Sequence, residues 1–147
     1  ATDIHEKKLA QLKKRARRNG VDVIETRIVD RKWCKRQREK FDRILLDVPC
    51  SGTGVIKRNP DTKWKLKPER IDELIQIQRD IFMQASPMLK PGGRLVYATC
   101  SLLPSENQNQ VEWFLSQQPG WRLDKQLILT PDASNTDGFY AAALIRE

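Results

Sequence analysis

Leu45-Leu46-Asp47-Val48-Pro49-Cys50-Ser51-Gly52-Thr53-Gly54 carries an apolar run into an acid, then a Pro-Cys step, then a loop of small residues. This is the pattern of a buried parallel strand that ends at a site, because in open α/β sheets ligands bind beyond the carboxyl ends of the strands. A second stretch, Arg94-Leu95-Val96-Tyr97-Ala98-Thr99-Cys100-Ser101, ends the same way in a thiol and hydroxyls. The turn Lys90-Pro91-Gly92-Gly93 precedes it. Two cysteine-bearing strand ends decide how the rest of the chain is read.

Outward from these strands, helices and strands alternate. Glu6 to Asn19 has apolar residues at Leu9, Leu12 and Ala16 among basic ones, with Gly20 as a C-terminal stop, and reads as a surface helix. Val21 to Val29 is rich in β-branched residues and is expected to be a strand ending at Asp30. Arg31 to Lys40, dense in Lys and Arg, reads as a solvated loop or short helix. Phe41 to Val48 is the first cysteine-bearing strand, followed by a polar connection through Asn59-Pro60-Asp61. Pro68 opens a helix whose face carries Ile71, Leu74, Ile75, Phe82, Ala85 and Leu89, trimmed by Pro87. Ser105-Glu106-Asn107-Gln108 has the form of a capping box ahead of a helix with Val111, Phe114 and Leu115. Trp121 to Leu129 and Gly138 to Ile145 are expected to pair antiparallel around the turn-rich Thr130 to Asp137. The expected architecture is α/β, with a mostly parallel sheet, helices on its faces and an antiparallel edge. The expected site rim then carries Asp3, Asp30, Asp47 with Cys50, and Thr99 with Cys100.

The totals set bounds. At 147 residues the chain is one ordinary domain or a large part of one, and the opening Ala1-Thr2-Asp3-Ile4-His5 reads like the middle of a longer protein. No run approaches membrane-spanning length. Three well-separated cysteines argue against a disulfide framework and a paired zinc site, so no metal is expected and a reducing cytoplasm is the expected compartment. The net charge of +8 and pI near 9.6 favour a polyanionic partner only as a second to other signals. His5 has no visible partner and reads as a surface residue. Ser51-Gly52-Thr53-Gly54 lacks the Lys-Ser/Thr of a nucleotide-binding loop and reads as a tight turn. A lone thiol is most often an inert core residue. Two at neighbouring strand ends, with Asp47 between, suit chemistry that needs a nucleophile and a proton handler.

Taken together, Leu45 to Gly54, Lys57-Arg58-Asn59-Pro60-Asp61 with Trp64, Tyr97-Ala98-Thr99-Cys100-Ser101, and Asp137-Gly138-Phe139-Tyr140 resemble, in order and spacing, successive motifs of the Sun/Fmu-type RNA 5-methylcytosine methyltransferases. The bacterial ribosomal RNA members are the most similar. The resemblance implies a Rossmann-like fold dependent on S-adenosyl-L-methionine, and methyl transfer to carbon 5 of cytosine in RNA through a covalent cysteine adduct. By that resemblance Cys100 is the nucleophile and Cys50 assists breakdown of the adduct. DNA cytosine methyltransferases attack with the cysteine of their Pro-Cys motif, so the reverse assignment stays open. Asp47 is implied to face both the cofactor and the polar edge of cytosine, as an acceptor or, if protonated, a donor. Asp3 is implied to accept from the ribose hydroxyls and Asp30 to lie beside the adenine; without the resemblance both read as helix-start and turn-forming acids. Lys57 and Arg58 are expected to contact RNA phosphates, and Trp64 either to stack or, the favoured reading, to anchor its loop. The target base must be unstacked, which favours a loop, bulge or opened segment. Against the family pattern, the glycine-rich cofactor loop, the first strand of the sheet and any amino-terminal RNA-binding region are missing, so residues 1–147 are expected to be the later part of a catalytic domain. The rival reading is a non-catalytic RNA-binding module that keeps the fold.

Overall fold

In the computed structural model, which describes residues 1–147 apart from the side chain of Ser134, the chain divides into two units, Ala1–Gln37 and Arg38–Glu147. The first unit contains strand β1 (Thr2–Asp3), helix α1 (Glu6–Arg18), strand β2 (Arg27–Ile28) and the six-residue helix α2 (Arg31–Arg36). β1 and β2 pair in parallel over two residues, Thr2 with Arg27 and Asp3 with Ile28. Leu9 and Cys34 are the buried apolar residues of this unit among the described residues. α1 forms where expected and ends before Gly20, whose φ of +68° is open to glycine at no steric cost. The strand expected over Val21 to Val29 shrinks to Arg27–Ile28. Val23 is 85% exposed and Val21 and Ile24 are also exposed, so these β-branched side chains have no surface to pack on, and propensity alone does not make a strand.

The second unit holds strand β3 (Phe41–Asp47), a 3-10 turn at Thr53–Val55, the short helix α3 (Thr62–Lys65), helix α4 (Pro68–Ala85), strand β4 (Leu89–Thr99), helix α5 (Gln108–Gln117), strand β5 (Trp121–Leu129), the four-residue helix α6 (Pro131–Ser134) and strand β6 (Phe139–Arg146). Its sheet has the order β3-β4-β6-β5. β3 and β4 are parallel, while β6 is antiparallel to both β4 and β5. Three of the four strands therefore run the same way. The expected antiparallel hairpin is present, and its reversed strand is inserted between β4 and β5. Along β6 burial alternates with a period of two, placing Tyr140, Ala142 and Leu144 inside, as a pleated strand requires.

The core lies on one face of this sheet. Leu74, Gln78, Phe82 and Ala85 of α4 recur at helical spacing and are buried, as are Gln110, Val111 and Phe114 of α5. Phe82 and Phe114 stack at 3.9 Å with rings 4° apart, and Tyr97 meets Phe114 edge-on at 5.1 Å. Leu89, expected on the helix face, is instead the first residue of β4, because Pro87 ends the helix in a 3-10 turn over Ser86–Met88. The Lys90–Gly93 turn is a bulge within β4: Phe41 pairs with Leu89, but Arg43 pairs with Arg94. No helix among the described residues is long and apolar enough to cross a membrane.

Candidate active site

Parallel pairing of β3 with β4 sets Leu46 beside Tyr97 and Asp47 beside Ala98, and the Val48 N–H extends the ladder to the Ala98 carbonyl. Both strands therefore release their chains at the same end of the sheet. Cys50 follows β3 by three residues and Cys100 follows β4 directly; their Sγ atoms are 3.3 Å apart, both half-buried. The loop after Cys50 turns back tightly. Gly52 has φ of +69°, and the Gly54 N–H donates to the Cys100 carbonyl at 2.9 Å. The Gly138 N–H in turn donates to the Gly54 carbonyl at 2.8 Å. A Cβ on Gly54 would stand 2.3 Å from the Gly138 oxygen and 2.8 Å from the Cys100 oxygen, so neither strand end tolerates a side chain there. The small-residue loop is a tight turn, as read from the sequence. Three motifs far apart in the chain meet at this glycine.

Beneath the thiols lies a buried polar network. Glu106, fully buried, accepts from the Ser51 N–H (2.9 Å) and the Gln78 side-chain amide (3.1 Å) on Oε1, and from the Ser51 and Ser101 hydroxyls (2.5 Å each) on Oε2. Gln78 also donates to the Pro49 carbonyl and accepts from the Tyr97 hydroxyl and the Gln110 amide. Asn107 accepts from the Thr99 hydroxyl at 2.6 Å and donates to the Ser101 carbonyl at 2.9 Å. The expected capping box is not formed: residues Pro104–Glu106 make a 3-10 turn, α5 begins at Gln108, and no side chain caps it. Glu106 turns inward because four donors await it there. The trace of this network in the sequence is Gln78, overlooked there, a polar residue spaced four from both Leu74 and Phe82 on an otherwise apolar helix face.

The contact between the sulfurs splits their acidities. A hydrogen bond from the Cys50 thiol brings Cys100 down to about 7, against burial and the charges of Asp47 and Glu106, which push it up. The same bond, with burial, pushes Cys50 up. The pair is thus arranged as one thiolate and one thiol that holds its proton. Asp47 is exposed at the end of β3, and its carboxylate makes no hydrogen bond or ion pair among the described residues, leaving its acceptor sites free. Cys34 is buried, and burial first, then the charge of Asp30, raises its thiol, consistent with an inert role.

The other candidates divide. Arg58 pairs with Asp137 at 2.5 Å and so links the segment after the thiol loop to the Asp-Gly-Phe-Tyr motif; Lys57 is exposed and makes no ion pair among the described residues. Trp64 is 81% exposed, with the Lys63 ammonium 5.3 Å from its ring, so it does not anchor its loop as expected. In the first unit, Asp3 accepts from the His5 N–H at 2.8 Å and lies 3.7 Å from Lys8, and Asp30 caps α2 by accepting from the Trp33 N–H at 2.7 Å. Asp3 ends β1 and Asp30 lies two residues beyond β2, so both stand beside a two-stranded sheet distinct from the one that carries the thiols rather than on one common rim, and both carry a local structural bond. Among the described residues, no group of three or more His, Cys, Asp or Glu is placed to hold a metal ion.

Comparison with known proteins places this chain in a family. The model of the family described as 16S rRNA methyltransferase RsmB/F matches residues 1–145. The chain is 44% identical over 147 residues to ribosomal RNA small subunit methyltransferase B of Proteus mirabilis, covering 98% of this chain and 34% of that protein. It is 46% identical over 128 residues to the protein of the same name from Shewanella oneidensis, covering 80% of this chain and 29% of the other. Among solved structures it is similar to NSun6 from Pyrococcus horikoshii, solved with SFG, at 27% identity and a TM-score of 0.88 over 99% of this chain and 40% of that one. The chain spans about a third of the length of the curated relatives it matches. Its fold is the Rossmann-like fold of S-adenosylmethionine-dependent methyltransferases. With the family match running from the first residue to within two of the last, the chain belongs to the RsmB/F, or Sun/Fmu, family of RNA methyltransferases.

Proposed function

We propose that this chain carries the thiol-bearing part of an enzyme that methylates carbon 5 of cytosine in small-subunit ribosomal RNA. The carrying observation is the 3.3 Å contact between Cys50 and Cys100 at neighbouring parallel strand ends. Carbon 5 of cytosine is a poor nucleophile. The Cys100 thiolate adds to carbon 6, forming a sulfur–carbon bond and shifting the ring double-bond electrons so that carbon 5 becomes nucleophilic. After carbon 5 gains its methyl group, its proton passes to a base and the carbon 6–sulfur bond breaks, returning the thiolate. Cys50, which holds its proton beside the leaving sulfur, is placed to assist that breakdown. Asp47, with free acceptor sites, takes the exocyclic amine of the base, and Lys57 takes a backbone phosphate.

S-adenosyl-L-methionine, when bound, supplies the electrophilic methyl group. By the resemblance we assign Asp3, Asp30 and Asp47 to it, since carboxylates can accept from its hydroxyl and amino groups. A ribosomal RNA substrate supports a cytoplasmic location. Because the chain spans about a third of its relatives, we read it as part of a longer catalytic domain that binds cofactor weakly when alone. Isothermal titration of residues 1–147 is expected to show no saturation, and saturation at low micromolar cofactor overturns that reading.

The activity is tested with the protein at the length of its curated relatives, incubated with S-adenosylmethionine and small-subunit ribosomal RNA containing 5-fluorocytosine. Fluorine cannot leave carbon 5 as a proton does, so a covalent adduct accumulates and is seen on a denaturing gel. A band that survives Cys50→Ala and is lost with Cys100→Ala is expected. Loss only with Cys50→Ala reverses the two roles, and no band with RNA still bound favours the non-catalytic binding module.

A further inference from the structure

Glu106 is the only fully buried acidic side chain among the described residues, and removing a carboxylate from water is costly unless its geometry is well satisfied. Its two oxygens are shared between two loops. Ser51, which donates to it through both its N–H and its hydroxyl, directly follows Cys50; Ser101, which donates through its hydroxyl, directly follows Cys100. The Gln78 amide closes the fourth position from α4. Nothing in this arrangement serves the helix that Glu106 precedes, since α5 has no side-chain cap.

We propose that Glu106 is a positioning residue that holds Cys50 and Cys100 in contact, acting through Ser51 and Ser101 and touching neither the base nor the cofactor. The role rests on the reading of Cys100 as nucleophile and Cys50 as proton carrier. One rigid carboxylate bound to the residue after each cysteine fixes the separation of the two sulfurs more tightly than either loop does alone. Misplacement of reacting groups by about 1 Å is enough to cost on the order of 100-fold in rate.

Two substitutions separate clamp from charge. In Glu106→Gln the amide oxygen still accepts from the Ser51 N–H and Gln78. Its NH2 can donate to the two hydroxyls, whose protons can turn to the Thr53 hydroxyl 3.3 and 3.2 Å away. The clamp survives and a negative charge is lost. In Glu106→Ala both are lost. The ionisable groups acting on Cys100 are Cys50, Asp47 and Glu106, so removing the Glu106 charge by itself lowers the Cys100 titration, whereas releasing Cys50 raises it.

The experiment follows iodoacetamide alkylation of Cys100 against pH by peptide mass spectrometry on residues 1–147, with no RNA or cofactor present. Reaction in the parent is expected to rise with an inflection at about 7. Glu106→Gln should keep that inflection or lower it. Glu106→Ala should raise it by a unit or more, toward the ordinary thiol value of about 8.5. Ser101→Ala, which removes one arm of the clamp, should raise it by less than Glu106→Ala does. An unchanged inflection in Glu106→Ala that still melts cooperatively, or equal shifts in the Gln and Ala variants, overturns the proposal. If Glu106→Ala does not fold, an unchanged inflection in folded Ser101→Ala overturns it equally. Methyl transfer plays no part in this readout, so inflections that move as expected alongside a failed adduct assay would refute the function and leave the clamp standing.

Discussion

Residues 1–37 hold 12 of the chain's 27 lysines and arginines but 5 of its 19 acids, and of the buried apolar side chains only Leu9 and Cys34 belong to them. Residues 38–147 are close to charge balance and contain the stacked aromatic core, the four-stranded sheet and both strand-end thiols. Few contacts hold the first unit: a two-residue strand pair, a helix cap at Asp30 and an ion pair between Asp3 and Lys8. The second is held by contacts between residues distant in sequence. The difference teaches that the basic balance of the whole chain says little about its chemistry, since the charge excess and the reactive groups lie in different units.

The largest effect that would test this contrast is in the aromatic core. Phe114→Ala removes a fully buried ring stacked on Phe82 and edge-on to Tyr97, and should cost about 3–5 kcal/mol in chemical denaturation. A loss under about 1 kcal/mol would break the claim that long-range packing carries the second unit. Next is Gly54→Ala, whose added Cβ overlaps the Gly138 and Cys100 carbonyls; about 1–3 kcal/mol is expected, with faster amide exchange at Gly54 and Gly138. Unchanged exchange would mean that the backbone there is less constrained than its geometry indicates. The smallest is Asp30→Ala, which removes the cap of α2 and should cost about 1 kcal/mol, with faster exchange confined to residues 31–36. Equal loss of protection in the second unit would show that the two units unfold as one.

The same contrast explains what the sequence made legible. The second unit reads well because burial enforces period: the alternation of β6, the helical spacing of α4 and the glycine turns each reflect a face that must be covered. The strand over Val21 to Val29 failed because its apolar residues have no facing surface, a condition that no local window contains. Trp64 was read as a loop anchor, and its ring is 81% exposed. The thiols, Asp47 and the glycine loop were legible because strand ends concentrate chemistry. Glu106 was not, since its sequence neighbours suggested a helix cap while its four donors come from residues 51, 78 and 101. A buried carboxylate is defined by distant partners. Arg58 is a related case, in which a cation reserved for RNA also closes an intramolecular pair with Asp137.

Insertion of β6 between β4 and β5 has a consequence for synthesis. Cys50 and Cys100 are both synthesised before residues 138–146. Until those residues arrive, β4 and β5 have no strand to bridge them, and Gly54 lacks the carbonyl-bound partner that Gly138 provides. The nascent protein therefore holds its reactive sulfurs, once both are made, without the backbone lock that seats them, and the site closes only when β6 is threaded into the middle of the sheet.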